Sequence, residues 1–226
     1  MKKAVFWDFD GTIIYPNQSF FDAMTFALKT SGYEVEDGKI REFLYSACSW
    51  YHPEKDYLEH TGNTWWKCLF REFKTFFMKN HISENDWPKI CKTFREYIWD
   101  SSHYKVYEDA VFCLTQCREK GYKNFILSNN FPELGRLIKD LGLNEFFSGC
   151  LISSNIGYEK PRIEIFQYAI KAAQQPDICY MIGDNPVADI FGGKRAGMHT
   201  ILVHNQSKVL EADHKCSSLL EAIVLL

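Results

Sequence analysis

The sequence predicts an α/β fold, a doubly wound (Rossmann-like) parallel sheet with a small α-helical cap domain, and three observations indicate it. From about residue 104 onward, short continuous apolar runs alternate with helical patterns, as in a sheet covered by helices on both faces. A similar apolar run begins the chain at residues 3–8. About ninety residues of helical pattern separate it from the rest. We therefore predict a main domain of residues 1–15 and 101–226 and a helical cap domain of residues 16–100.

Five runs are expected to form the strands, because each is short and largely apolar and is followed by polar residues or glycine. They are KAVFWD (3–8), NFILS (124–128), GCLIS (149–153), ICYMIG (178–183) and HTILV (199–203). Three helices are expected between the later strands, where apolar residues recur at helical spacing and proline or glycine marks an end. They cover residues 109–121, 132–142 and 161–173.

The predicted cap domain has helical patterns over residues 19–32, 63–80 and 83–100, and the aromatic residues concentrate there. The simplest interpretation is the core of a helical bundle. The alternative, which the sequence leaves open, is that Trp50, Tyr51, Trp65 or Trp66 faces a substrate. Ligands of open α/β sheets bind beyond the carboxyl ends of the strands. An insertion leaving the first strand at that edge is therefore expected to cover the site as a lid.

Composition narrows the classes of function. The 226 residues are 46% apolar and 24% charged, with a net charge of −3, which argues against a nucleic-acid partner. No apolar run approaches the roughly 20 residues of a membrane span, and the run at Ala4–Trp7 is too short for a signal peptide. We expect a cytoplasmic protein with no membrane partner. Its eight cysteines form no CxxC pair and are expected to be reduced.

Polar clusters follow four of the predicted strands, at the point where each strand ends. In chain order they contain Asp8, Asp10, Gly11 and Thr12; Ser128, Asn129 and Asn130; Lys160; and Asp184, Asn185 and Asp189. Each cluster alone has an ordinary structural explanation, such as a turn, a helix cap or a solvated lysine. In a parallel sheet, however, all four meet at one edge, which makes a functional site the better explanation.

The chemistry of these residues suits a phosphate and a divalent cation. Crowded carboxylates repel each other unless a cation neutralises them, and hard oxygen ligands suit Mg²⁺. Lys160, the hydroxyl of Ser128 and the amide N–H of Asn129 can contact phosphate oxygens. Gly11 allows the backbone to approach a phosphate closely. These are the parts that phosphoryl transfer needs.

The four motifs DFDGT (8–12), LSNN (127–130), YEKP (158–161) and GDNPVAD (183–189) resemble those of the haloacid dehalogenase-like (HAD) hydrolase superfamily. The resemblance covers nearly the whole chain and points to the branch with a helical cap after the first motif. It implies that Asp8 is the nucleophile and Asp10 the general acid and base. It implies phosphoryl contacts from Ser128 and Lys160. It further implies Mg²⁺ ligation by the side chains of Asp8 and Asp184 and the backbone carbonyl of Asp10, with Asp189 supporting the metal site indirectly or through Lys160.

Asp10 favours phosphatase over dehalogenase chemistry, because a departing alkoxide needs a proton and a halide does not. We therefore expect a Mg²⁺-dependent phosphatase for a small phosphate monoester, such as a sugar phosphate, a nucleotide or a related metabolite. A phosphomutase using the same residues is the main alternative. A receiver domain and a non-catalytic phospho-ligand-binding protein fit less well, because the chain carries a long insertion and none of the motif residues is missing.

Overall fold

A computed structural model describes residues 1–205 and 211–226 of the chain. Its strands are β1 (Lys3–Trp7), β2 (Tyr122–Ser128), β3 (Gly149–Ile152), β4 (Ile178–Gly183), β5 (His199–Val203) and β6 (His214–Cys216). They form one sheet in the order β3-β2-β1-β4-β5-β6, and every pairing is parallel. The predicted α/β class and parallel sheet are confirmed.

The register of the sheet places the predicted polar clusters level with one another. Trp7, the last residue of β1, pairs with Ile126 on one side and Ile182 on the other. The next residue, Asp8, donates its backbone N–H to the carbonyl of Ile182 at 2.9 Å. The ends of β1, β2 and β4 therefore meet at the centre of one sheet edge, where a ligand is expected to bind.

The helices of residues 16–100, which we call the insert, are α1 (Ser19–Thr30), α2 (Asp37–Ala47), α3 (Asn63–Lys79) and α4 (Trp87–Trp99). The chain leaves and re-enters the rest of the fold, which we call the main domain, along neighbouring segments. The N–H of Tyr15 donates to the carbonyl of Lys105 at 2.8 Å, and that of Tyr107 to the carbonyl of Ile13 at 3.0 Å. The exact boundaries of the insert stay a prediction.

Two parts of the insert differ from the continuous helical pattern that we predicted. Residues 48–62 form a loop with short 3₁₀ turns at Ser49–Tyr51 and Leu58–His60. Helix α4 begins at Trp87 rather than near residue 83, after a 3₁₀ turn over Glu84–Asp86. Pro88 in its first turn suits a helix start, because the missing N–H has no partner there in any case.

Aromatic side chains fill the interior of the insert. Phe73 is fully buried and contacts the rings of Phe43, Phe77 and Phe94. This packing continues into the main domain, where the ring of Phe131 lies 6.2 Å from that of Trp66. One hydrophobic cluster therefore runs from the insert to the sheet.

The main domain carries α5 (Ala110–Glu119), α6 (Leu134–Asp140), α7 (Ser153–Ile156), α8 (Ile163–Ala172), α9 (Gly192–Arg195) and α10 (Leu219–Val224). Apolar residues of α5, α6 and α10 join the cluster on one face of the sheet, and those of α8 join a second cluster on the other face. The sheet is thus covered on both sides. None of the helices in the described ranges has both the length and the hydropathy that a bilayer crossing requires, and the eight cysteines are unpaired.

Candidate active site

The predicted site residues converge on one cavity of about 840 Å³ at the carboxyl edge of the sheet. Those that line it are Asp8, Asp10, Ser128, Asn129, Lys160 and Asp184. Asp189 is fully buried behind them, in a π-helical segment over Pro186–Phe191 that follows β4. The topology therefore brings the four separate motifs together.

Lys160 is the buried cation of the site. Its Nζ donates to Asp8 Oδ1 at 2.8 Å and to Asp189 Oδ1 at 2.6 Å, and the side chain is 2% exposed. Burial opposes the charged form, but Asp189 and Asp8 more than offset it, so the pKa of Lys160 is raised. The ammonium is therefore charged at neutral pH and aimed at the carboxylate of Asp8.

The side chain of Asn129 holds the backbone of Lys160 in place. Its Nδ2 donates to the Lys160 carbonyl at 2.9 Å, and its Oδ1 accepts from the Lys160 N–H at 2.7 Å. The side-chain amide therefore joins the end of β2 to the lysine-bearing loop. Because the side-chain amide makes these two bonds, the phosphate contact predicted for Asn129 would come from its backbone N–H. That contact stays a prediction.

Asp10 has different surroundings from Asp8. One oxygen accepts from Asn17 Nδ2 at 2.7 Å, and the other accepts from Asn130 Nδ2 at 2.6 Å. Burial, followed by the charge of Asp8, raises the pKa of Asp10 to about 6, although the two amides act in the opposite direction. A carboxyl group with a pKa near neutrality can both give and take a proton, as general acid–base catalysis requires.

Asn17 is not among the predicted site residues, and Asn130 has no predicted role. Asn130 belongs to the LSNN motif, so its place after β2 was the available signal. Asn17 belongs to no motif, and its Oδ1 also accepts from the N–H of Ser19 at the start of α1 at 2.9 Å. It therefore connects the first helix of the insert with the carboxylate of Asp10.

Carboxylate oxygens of Asp8, Asp184 and Asp189 lie within 4.8 Å of one another. Both oxygens of Asp189 already accept donors, Oδ1 from Lys160 at 2.6 Å and Oδ2 from the N–H of Asn185 at 3.0 Å. Asp8 and Asp184 are thus the side chains better placed to bind an ion, and their hard oxygens fit Mg²⁺. Burial, with the charges of Asp8 and Asp189, raises the pKa of Asp184 to about 8, as expected where a cation would relieve the repulsion.

The carboxylate of Asp10 faces the two amides, whereas the metal contact predicted for this residue is that of its backbone carbonyl. That contact and the roles of Asp8, Ser128, Asp184 and Asp189 stay predictions that agree with the geometry. Ser128 is buried at the end of β2, and its Oγ lies 3.4 Å from Asn130 Nδ2.

The insert supplies the wall of the cavity that faces these residues. Arg41 lies on this wall, where its guanidinium stacks on the ring of Phe21 at 3.8 Å and donates to Gln18 Oε1 at 2.6 Å. Trp50 and Tyr51 also line the cavity. Of the four aromatic residues considered for substrate contact, Trp65 and Trp66 are instead buried in the packing of the insert.

Comparison with known proteins agrees with this geometry. Residues 2–197 match the family described as haloacid dehalogenase-like hydrolase. The human haloacid dehalogenase-like hydrolase domain-containing protein 3 is 28% identical over 209 residues, which cover 89% of this chain and 81% of that protein. A glyceraldehyde 3-phosphate phosphatase of Methanothermobacter thermautotrophicus is 33% identical over 111 residues, 48% of this chain and 49% of that one.

Solved structures show the same fold at lower identity. The magnesium-bound putative HAD-hydrolase YfnB of Bacillus subtilis has a TM-score of 0.75 and 18% identity, and the match covers 100% of this chain and 98% of that one.

Proposed function

The chain belongs to the haloacid dehalogenase-like hydrolases, and from this membership and its site we propose a Mg²⁺-dependent phosphatase that acts on a small phosphate monoester through an aspartyl-phosphate. The observation that carries the proposal is the contrast between two neighbouring carboxylates. Asp8 is ion-paired with Lys160, whereas Asp10 is held by two amides and has a pKa raised to about 6. Two carboxyl groups in such different surroundings can divide the roles of nucleophile and proton carrier.

In the first step of the proposed reaction, the carboxylate of Asp8 attacks phosphorus while the bond from phosphorus to the leaving oxygen breaks. Asp10 gives its proton to that oxygen, so the product departs as an alcohol. The ammonium of Lys160 and the hydroxyl of Ser128 neutralise and orient the phosphoryl oxygens. The carboxylates of Asp8 and Asp184 would hold Mg²⁺, which would add charge stabilisation.

In the second step, water attacks the phosphorus of the aspartyl-phosphate and the bond to Asp8 breaks. Asp10, deprotonated by the first step, takes the proton of that water, and inorganic phosphate leaves. Both residues return to their starting states. The amides of Asn17 and Asn130 keep the Asp10 carboxylate in one orientation through this exchange.

The residues that the insert contributes to the cavity favour a small organic substrate. Arg41, the aromatic rings of Trp50 and Tyr51 and the main-domain residues enclose one cavity, so the leaving group would lie between charged and aromatic surfaces. Sugar phosphates, nucleotides and related metabolites are of suitable size and polarity. A phosphatase of glyceraldehyde 3-phosphate among the relatives is consistent with this class.

The test is release of p-nitrophenol and inorganic phosphate from p-nitrophenyl phosphate, with Mg²⁺ and with a chelator, followed by a panel of phosphate monoesters. We expect turnover only with Mg²⁺. Asp8→Asn should reduce it by at least about a thousandfold, because removal of a covalent nucleophile removes the whole reaction path. Asp22→Asn, an exposed carboxylate on α1, is the control and should leave turnover unchanged. No turnover on any ester, or an active Asp8→Asn protein, would contradict the proposal.

A further inference from the structure

Glu159 is a buried carboxyl group that the proposed reaction does not use. It precedes Lys160 in the chain, and its side chain is fully buried. Its Oε1 accepts hydrogen bonds from the hydroxyl of Ser49 at 2.6 Å and from that of Tyr57 at 2.5 Å. Both donors belong to the loop between α2 and α3 of the insert. A buried carboxyl group is costly unless it is hydrogen-bonded, so these two hydroxyls of the insert help to stabilise this one.

The contact around Glu159 is continuous along two loops. The N–H of Tyr57 donates to the carbonyl of Gly157 at 3.1 Å, and that of Gly62 donates to the carbonyl of Ser154 at 2.8 Å. A Cβ on Gly157 would lie only 2.8 Å from Leu58 Cδ2. Residues 49–62 of the insert, which we call the docking loop, therefore lie directly against residues 153–159 of the main domain.

On the main-domain side, this contact lies directly beside Lys160 in the chain. The carbonyl of Glu159 accepts from the N–H of Arg162 at 2.9 Å, and the backbone of the next residue, Lys160, is held by Asn129. Burial raises the pKa of Glu159, whereas the hydroxyls of Ser49, Tyr57 and Ser153 and the charge of Lys160 lower it. The backbone that carries Lys160 is thus fixed by Asn129 on one side and by the Glu159 contact on the other.

We propose that Glu159 is a positioning residue through which docking of the insert places the ammonium of Lys160 at the phosphoryl site. With the docking loop in contact, the hydroxyls of Ser49 and Tyr57 donate to Oε1 of Glu159 and the lysine-bearing backbone is held. Without this contact, Glu159 loses its two donors from the insert and the backbone loses one of its restraints. The proposal rests on the proposed phosphatase function for its kinetic consequence but not for its structural one.

The first test uses Tyr57→Phe, which removes one hydroxyl and keeps the ring. We expect kcat/KM for p-nitrophenyl phosphate to fall by about three- to tenfold, as for loss of one buried hydrogen bond. Inhibition by inorganic phosphate should weaken in parallel, because Lys160 contacts the phosphoryl oxygens. The control is Tyr33→Phe, which removes a similar hydrogen bond of 2.6 Å, from Tyr33 to Asp86, wholly within the insert. It should leave both constants unchanged.

A double-mutant cycle with Glu159→Gln tests whether the two residues act as one unit. If they do, the double variant should be no more than about twofold worse than the worse single variant, since the same contact is lost only once. Wild-type phosphate inhibition in Tyr57→Phe, with only a lowered melting temperature, would show a purely structural contact and overturn the proposal. If the effects of Tyr57→Phe and Glu159→Gln on kcat/KM multiply in the double variant, the two residues act independently, which would also overturn the proposal.

Hydrogen exchange supplies a readout that needs no activity. Amides of residues 157–160 and 162 should exchange faster in Tyr57→Phe than in wild type, whereas Tyr33→Phe should match wild type. Unchanged exchange in Tyr57→Phe would overturn the proposal even if the protein is a phosphatase. If the wild type hydrolyses no phosphate ester, the proposed function fails, and this exchange experiment still decides the structural coupling.

Discussion

Gly11 stands at the point where the first motif meets the fourth. A Cβ at this position would lie 2.4 Å from Asp184 Oδ2, and its φ of +76° is one that side chains disfavour. From the sequence, we predict that this glycine lets the backbone approach a phosphate. The structure adds that the space beside its α-carbon is filled by the carboxylate of Asp184, one of the two side chains proposed to bind Mg²⁺.

Gly11→Ala should therefore impair the site more than the fold. Displacing Asp184 should lower Mg²⁺-dependent turnover by about a hundredfold, as misplacement by about 1 Å can do. The control is Gly32→Ala, with a similar φ of +85° but nothing within 4 Å of its added Cβ. Both variants should lose about 1–2 kcal/mol of unfolding free energy, but only Gly11→Ala should lose turnover. Equal turnover in the two proteins would refute the role given to Gly11.

In strand β2, the side chain of the buried polar residue Asn124 connects several elements of the fold. Asn124 is fully buried, its Oδ1 accepts from Trp7 Nε1 at 3.0 Å, and its Nδ2 donates to the carbonyl of Leu114 at 2.9 Å. The same Nδ2 lies 3.3 Å from the carbonyl of Phe146. One amide thus joins β1, α5 and the turn before β3 to the middle of the sheet.

Asn124→Leu keeps much of the volume but leaves the indole N–H of Trp7 and the carbonyl of Leu114 without this partner. We expect the free energy of unfolding in urea to fall by about 2–3 kcal/mol, since buried polar groups left unpaired are costly. Lys123→Leu changes the exposed neighbour in the same strand and should alter stability by no more than about 0.5 kcal/mol. A loss for Asn124→Leu as small as that of the control would mean that these hydrogen bonds contribute little.

The elements differ in how far their sequence predicts them. β1 to β5 lie within a residue or two of their apolar runs, because burial on both faces leaves a continuous apolar pattern. β6 was not predicted, since this three-residue edge strand begins with the exposed His214 and Lys215. The docking loop lies within the stretch that the sequence predicts to be helical. Its actual structure depends on backbone hydrogen bonds to Ser154 and Gly157, which no local sequence pattern encodes. The site motifs could be brought together from topology, whereas Glu159 contacts Ser49 and Tyr57 far along the chain and Asn17 belongs to no motif.

At the scale of the whole molecule, the insert and the sheet share one hydrophobic cluster, and the cavity opens between them. Folding gathers four carboxylates, those of Asp8, Asp10, Asp184 and Asp189, around the buried ammonium of Lys160. One cation does not neutralise four acids, and burial strengthens their repulsion. The stability of the protein is therefore expected to depend on pH and on a divalent cation.

The pKa of Asp184 sets the sign of that dependence in the metal-free protein. It is raised from 3.8 to about 8 on folding, so between these values the folded chain binds more protons than the unfolded chain. The unfolding free energy contributed by this group is complete below pH 3.8 and is lost as pH rises through about 8. Binding of the proposed Mg²⁺ would require the deprotonated carboxylate. An ion that binds only the folded protein stabilises it by about 2.7 kcal/mol at a hundred times its Kd.

Mg²⁺ should consequently raise the melting temperature more at pH 8.5 than at pH 6, because it competes with fewer protons and relieves a larger repulsion at the higher pH. Thermal unfolding at both pH values, with Mg²⁺ and with a chelator, measures the difference. Asp184→Asn should abolish most of the Mg²⁺ effect and its pH dependence, whereas Asp22→Asn should retain both. An equal gain at the two pH values, or a full gain in Asp184→Asn, would show that the ion stabilises the protein without displacing a proton from this carboxylate.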